Sequence, residues 1–125
     1  MNKDKDPLTD KVIGSAIEVH KSLGPGLLES AYEECLYYEL GQNKIAFNRH
    51  APLPVLYKSV KLNCGYRMDI VVDERLIVEL KTVEKILPVH EAQLLTYLKL
   101  SGLSTALLLN FNTAVLKDGI RKIVH

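Results

Sequence analysis

The chain has no tryptophan and only two cysteines, Cys35 and Cys64, among its 125 residues. Two isolated thiols exclude a disulfide framework and a zinc site, and they read as reduced side chains. An excess of either charge is also missing. Sixteen Lys and Arg stand against fifteen Asp and Glu, a net charge of +1, so the chain lacks the long-range field of a strongly basic nucleic-acid binder and any such contact has to be local. No apolar run approaches the ~18 residues of a membrane span, and the start, MNKDKDPLTD, lacks the apolar core of a secretory signal. The expectation is a cytoplasmic protein with no membrane partner. What remains is ordinary globular material, 47% hydrophobic and 25% charged, enough to close one core. The length fits one domain on the usual scale of roughly 100–200 residues.

Residues 1–7 are polar and end in Pro7, which predicts a flexible arm, with a single domain over 8–125. Leu8, Val12, Ile13, Ala16, Ile17 and Leu23 recur at helical spacing, and His20 extends the same stripe. Gly24-Pro25-Gly26 turns the chain. A second helix is predicted from Leu27 to Leu40, with Leu28, Ala31, Cys35, Leu36 and Tyr38 near one face and Gly41 ending it. Extended segments follow at Lys44–Asn48, Pro52–Tyr57 and from Val60 to Val72. The last breaks at Asp73-Glu74-Arg75 and resumes as Leu76–Lys81, the pattern of a hairpin with a three-residue loop. Leu87–Leu100 returns to helical spacing, Thr105–Phe111 reads as a strand buried on both faces, and Ala114–Leu116 is a candidate to pair with it.

With a loop at Asp73–Arg75, Val72 faces Leu76 and Asp69 faces Glu79. Side chains alternate along a strand, so Lys81 shares the face of Glu79, while Met68, Ile70, Val72, Leu76, Val78 and Leu80 point the other way. Facing carboxylates repel and cost a sheet some tenths of a kcal/mol. A hard divalent cation neutralises such a pair: Mg²⁺ is commonly held by one or two carboxylates with waters and phosphate oxygens. A neighbouring ammonium would orient water or stabilise phosphate charge. On the hairpin alone, the ordinary account is a solvated face of weak ion pairs among Arg67, Asp69, Glu79 and Lys81.

Asp69 followed by Glu79-Leu80-Lys81 resembles the D…ExK signature of the PD-(D/E)XK nuclease superfamily. Gly65-Tyr66-Arg67-Met68-Asp69 resembles the GxxxD form of its first motif, and Gln93-Leu94-Leu95-Thr96-Tyr97 the QxxxY helix motif of bacterial recombination nucleases. Gly26-Leu27-Leu28-Glu29-Ser30-Ala31-Tyr32 is similar to the pattern that names the small bacterial GxxExxY family, and the likeness runs from about residue 9 to residue 124. Met68 stands where a proline is often written.

The resemblance implies a restriction-endonuclease-like α/β fold, a mixed sheet flanked by helices in the order ααβββ(β)αβ(β), and a nuclease dependent on Mg²⁺ or Mn²⁺. It implies that Asp69, Glu79 and the carbonyl of Leu80 hold the ion. Lys81 would position the attacking water, and Glu29 would reach the metal directly or through water. Gln93 and Tyr97 would orient the substrate strand. His20 is a further candidate, although a lone histidine on a helix stripe is ordinarily packed in the core. Tyr32, Tyr37, Tyr38 and Tyr66 offer rings for base stacking, with core packing the ordinary account for most. The expected partner is nucleic acid, DNA in preference to RNA, with a protein partner or a homodimer as a further expectation. The rival reading is a non-catalytic binding module that keeps the fold.

Overall fold

The computed structural model describes residues 6–125, so most of the expected arm, residues 1–5, lies outside the described residues. Asp6 and Pro7 belong to the first helix instead. The Asp6 carboxylate accepts from the Leu8 N–H at 3.0 Å, and Pro7, whose missing N–H costs nothing in a first turn, opens α1 (Pro7–Leu23). Helix α2 (Glu29–Gln42) starts two residues later than its spacing predicts and runs through Gly41 to a cap at Asn43. Its buried face is Tyr32, Leu36, Tyr37 and Leu40, whereas Leu28 and Tyr38 are exposed. The tyrosines displaced the predicted stripe because their rings bury as well as a leucine while their hydroxyls find partners at the rim.

The strands are β1 (Phe47–Pro52), β2 (Val55–Tyr57), β3 (Val60–Leu62), β4 (Arg67–Val72), β5 (Leu76–Lys81), β6 (Thr105–Asn110) and β7 (Ile120–Val124), with α3 (Pro88–Ser101) between β5 and β6. The main sheet has the order β1-β4-β5-β6-β7, and β2 and β3 form a separate hairpin. All pairings in the main sheet are antiparallel except β5 with β6, which are parallel and joined through α3, as a parallel pair requires a crossover. The partner of β6 on its free side is β7, not Ala114–Leu116, which leads into a short 3₁₀ turn at Leu116–Gly119.

Helices cover both faces of the sheet. Ile70, Val72, Leu76, Val78, Leu80, Leu107 and Leu109 pack under α1 and α2. Val71, Ile77, Ala106 and Leu108 pack under Leu94, Tyr97 and Leu98 of α3. The hairpin β4–β5 is therefore apolar on both faces over most of its length, and the side carrying Asp69 and Glu79 is no solvated surface. Met68 also departs from the alternation, joining the α3 cluster rather than that of Ile70. The distortion has a visible neighbour: His50, in the β1 position opposite Asp69, has φ +51, a left-handed conformation rare for a residue with a Cβ.

Candidate active site

The loop at Asp73–Arg75 sets the register that alternation predicts: Val72 pairs with Leu76, Val71 with Ile77 and Ile70 with Val78. At the next step the regular pairing stops. The Asp69 N–H donates to Glu79 Oε1 at 2.9 Å, and the Leu80 N–H donates to Asp69 Oδ2 at 3.0 Å. Two side chains thus occupy backbone positions that a continuing ladder would use, and β4 and β5 part around them. On its other edge β5 stays paired to β6 as far as Lys81 and Asn110. The opening is one-sided.

Glu79 is only 8% exposed. Burial is the largest cause pushing its pKa up, to about 9, and the Asp69 charge and a hydrogen bond between the two carboxyl groups push the same way. Burial and the facing charge thus favour one proton held by the pair over two ionised carboxylates. No three or more His, Cys, Asp or Glu side chains lie close enough together to hold a metal ion among the described residues. The two carboxylates that do meet are hard oxygen donors, and with waters and phosphate oxygens they fit Mg²⁺ or Mn²⁺.

Other carboxylates approach from α2. Glu29 is the first residue of that helix, and its pKa is raised by burial first and by Asp69 next, with Lys81 opposing. The segment before it explains the placement. Gly26 has φ +105, a conformation glycine adopts without penalty. The buried Tyr32 hydroxyl donates to the Gly24 carbonyl at 2.6 Å and accepts from the Leu27 N–H at 3.1 Å, while its ring stacks on Phe111 at 4.6 Å. Gly26, Glu29 and Tyr32 thus form one device: a glycine turn, a tyrosine that ties it down, and a carboxylate delivered toward Asp69.

Glu33, one turn further, is a candidate for the site that the sequence pattern did not suggest. Its pKa is raised by burial and again by Asp69. It accepts from the Tyr37 hydroxyl at 3.0 Å and lies 3.9 Å from His50 Nε2, an ion pair when that imidazole is protonated. The i, i+4 spacing of Glu29 and Glu33 was the available signal, masked because glutamates on a helix surface are common. Asn110 was missed too. Buried beside Lys81 in the parallel pairing, it accepts from the Val83 N–H at 3.1 Å and donates to the Val83 carbonyl at 2.9 Å, pinning the chain just beyond Lys81.

From the other side, α3 brings Tyr97. Its pKa is raised by burial first, then by the charges of Glu79 and Asp69, so this ring shares the field of the two carboxylates. Gln93 donates from Nε2 to the Tyr97 hydroxyl at 3.2 Å. His90 turns to the helix start instead, accepting from the Leu87 N–H at 2.9 Å. His20 is not grouped with the carboxylates. Its Nε2 is bonded to the Thr113 carbonyl at 2.8 Å and its ring lies 6.2 Å from Phe111, so that nitrogen carries a proton and is committed. Phe111 in turn donates its N–H to the Lys81 carbonyl at 2.9 Å, which makes His20 a packing support one residue removed from Lys81. Of the tyrosines proposed for stacking, Tyr32 and Tyr37 are buried, Tyr37 against Phe47 and under Arg49, while Tyr38 and Tyr66 are exposed.

A five-stranded mixed sheet flanked by helices, with two carboxylates and a lysine where its central hairpin opens, defines a restriction-endonuclease-like domain. Residues 6–123 match the PD-(D/E)XK nuclease superfamily, and the chain belongs to it. No curated protein and no solved structure matches the chain.

Proposed function

We propose that the chain is a nuclease of the GxxExxY group, dependent on Mg²⁺ or Mn²⁺, that hydrolyses phosphodiester bonds of nucleic acid in the cytoplasm, DNA in preference to RNA. The observation that carries this reading is the meeting of Asp69 and Glu79 at the opened end of β4–β5, with Lys81 ending the same strand. Asp69 and Glu79 would hold the ion together with the carbonyl of Leu80. In a strand the N–H and C=O of one residue point to the same side, so a Leu80 N–H turned to Asp69 favours a carbonyl turned to the same opening. Bound there, the ion would lower the pKa of a water and offset phosphate charge.

The chain's own groups supply the rest. The Lys81 ammonium would donate to the attacking water, leaving a lone pair aimed at phosphorus, and would stabilise charge on the phosphate. The new bond would form between that water oxygen and phosphorus as the bond to the leaving oxygen breaks in line; the water's proton would pass to solvent and the leaving oxygen would take one from solvent, so no covalent enzyme intermediate is needed. Glu79 would give up its proton to hold the ion, because the ligand is the carboxylate. Glu29 and Glu33 would act through water rather than as direct ligands, and Gln93 with Tyr97 would orient the strand.

The test is a panel of single-stranded, duplex, nicked and flapped DNA and RNA, incubated with Mn²⁺ and separately with EDTA. Wild type should cut at least one member in Mn²⁺ and none in EDTA. Lys81→Ala should lose cleavage by on the order of 10²-fold or more while still binding the ion, since an ammonium is no ligand. A chain that cuts nothing, or a Lys81→Ala variant that cuts as well as wild type, ends the catalytic reading and leaves a binding module that keeps the fold.

A further inference from the structure

Between the β2–β3 hairpin and α3 lies a cavity that shares Gln93 and Tyr97 with the proposed strand-orienting pair. It has a volume of about 390 Å³ and is lined by Val55, Tyr66, Gln93, Thr96, Tyr97 and Leu100, within the range of small-molecule sites, roughly 300–1,000 Å³. None of the lining side chains is charged, so the wall offers a phosphate no cation. Two aromatic rings set its shape. Tyr66 and Tyr97 meet edge to face with centroids 6.4 Å apart, and Tyr66 remains 50% exposed, while Tyr97 is nearly buried.

The placement of Tyr66 is built into the fold. The Leu53 N–H donates to the Tyr66 carbonyl at 2.9 Å, closing the base of the β2–β3 hairpin, and Leu53 is itself buried in the cluster that holds Tyr97. Val55, the first residue of β2, forms the opposite wall. At the polar side stands the exposed amide of Gln93, which already meets the Tyr97 hydroxyl. A neutral slot with aromatic and aliphatic walls and one amide matches a flat heterocycle with hydrogen-bonding edges. Tyr66 immediately precedes β4 and Asp69 is the third residue of that strand, about 10 Å along an extended chain, so the slot lies within one nucleotide's reach of the carboxylate site.

We propose that this cavity between the β2–β3 hairpin and α3 receives one unpaired nucleobase of the strand whose phosphate lies at Asp69 and Glu79, with Tyr66 as the stacking surface. The proposal rests on the nuclease reading and narrows its substrate class to single strands and unpaired ends. A base inside a duplex is stacked on both faces and would have to leave the helix to enter. The near-neutral chain agrees, because with few phosphate contacts on offer, affinity has to come from stacking.

The experiment measures anisotropy of three labelled probes on the full chain in Ca²⁺: a thymidine oligonucleotide, the same sugar-phosphate backbone with abasic residues, and a duplex. Cleavage in Mn²⁺ is followed in parallel. Wild type should bind the base-bearing strand most tightly. Tyr66→Ala should lose about 5- to 150-fold on that probe alone, and Tyr66→Phe and Tyr66→Trp should retain binding. Because Tyr66 is half exposed, none of these variants threatens the fold. The proposal is overturned if wild type binds the abasic strand or the duplex as tightly as the base-bearing one, if it binds no probe, or if Tyr66→Ala weakens the abasic strand and the base-bearing strand equally. Base-dependent, Tyr66-dependent binding with no cleavage of any probe would uphold the cavity and reject the nuclease. Cleavage that persists with Tyr66→Ala binding every probe like wild type would do the reverse.

Discussion

Between Ile70 and Val72, β4 pairs with Leu76 to Val78 of β5 in a regular antiparallel ladder, whereas one step further, at Asp69 and Glu79, side chains take over the bonding. The two stretches belong to one hairpin and share one register. The first is fully buried between α1–α2 and α3, so every side chain there adds to the two cores. The second sets two carboxyl groups against each other, one of them nearly buried, under further charge from Glu29 and Glu33. The difference teaches that stability and chemistry are divided along the strand: the ladder half holds β5 rigid, and the opened half spends that rigidity on an arrangement that water alone would not favour.

Among single substitutions, one in the ladder half should give the largest loss of stability. Ile77→Ala empties space between the sheet and α3 and should lower unfolding free energy by about 2–5 kcal/mol, read from denaturant melts, with nucleic-acid binding per folded molecule retained. In the opened half the sign reverses. Without metal, Asp69→Asn and Glu79→Gln should be no less stable than wild type at neutral pH, because Glu79→Gln removes a carboxyl that is costly to bury as an ion and Asp69→Asn removes the charge facing it, while each keeps an acceptor for the strand N–H. A loss in either comparable with Ile77→Ala would erase the contrast.

Acidity sharpens the same contrast. Glu79 holds its proton more tightly folded than unfolded, since its pKa rises from 4.5 to about 9. The folded state therefore binds more protons between those values, and its contribution to stability is fully present below about 4.5 and is lost as pH rises toward about 9. Metal-free wild type should melt progressively lower through that window, with a slope of up to about 1.4 kcal/mol per pH unit from this group. Glu79→Gln should show a flatter profile, and equal slopes in the two proteins would mean that Glu79 ionises freely when folded.

The smallest of these effects is the response to metal. At tenfold excess over its dissociation constant, an ion that binds only the folded chain stabilises it by about 1.4 kcal/mol. Mg²⁺ or Mn²⁺ should raise the melting temperature of wild type, more at pH 8 than at pH 6, because a proton must leave Glu79 first. The shift should disappear in Glu79→Gln. An undiminished shift there would place the ion elsewhere.

Local patterns carried a good part of this into the sequence. Alternation on either side of Asp73–Arg75 is enough to set Asp69 against Glu79, since a period of two and a loop length fix a hairpin's register without any distant partner. The all-apolar run Ala106–Leu109 likewise announces a strand covered on both faces. Legibility failed where the pattern was mixed. In Ile120-Arg121-Lys122-Ile123-Val124 the charged pair hides an edge strand that is half exposed. In α2 the spacing favoured Leu28 and Tyr38 over Tyr32, whose burial depends on a loop and on Phe111.

Gly119 shows the same limit: a Cβ there would collide with the Asn110 carbonyl oxygen, a crowding that exists only because the turn folds back onto β6. By itself, then, the sequence determined the hairpin, its register, and which residues carry carboxylates and the lysine, because these follow from neighbours along the chain. Only the tertiary structure decided that Glu79 is buried with its pKa pushed up, that Glu29 and Glu33 feel the charge of Asp69 from α2, and that Tyr66 and Tyr97 wall a cavity against α3. Desolvation and charge act through space, and their strength depends on what is packed nearby rather than on what is adjacent in sequence.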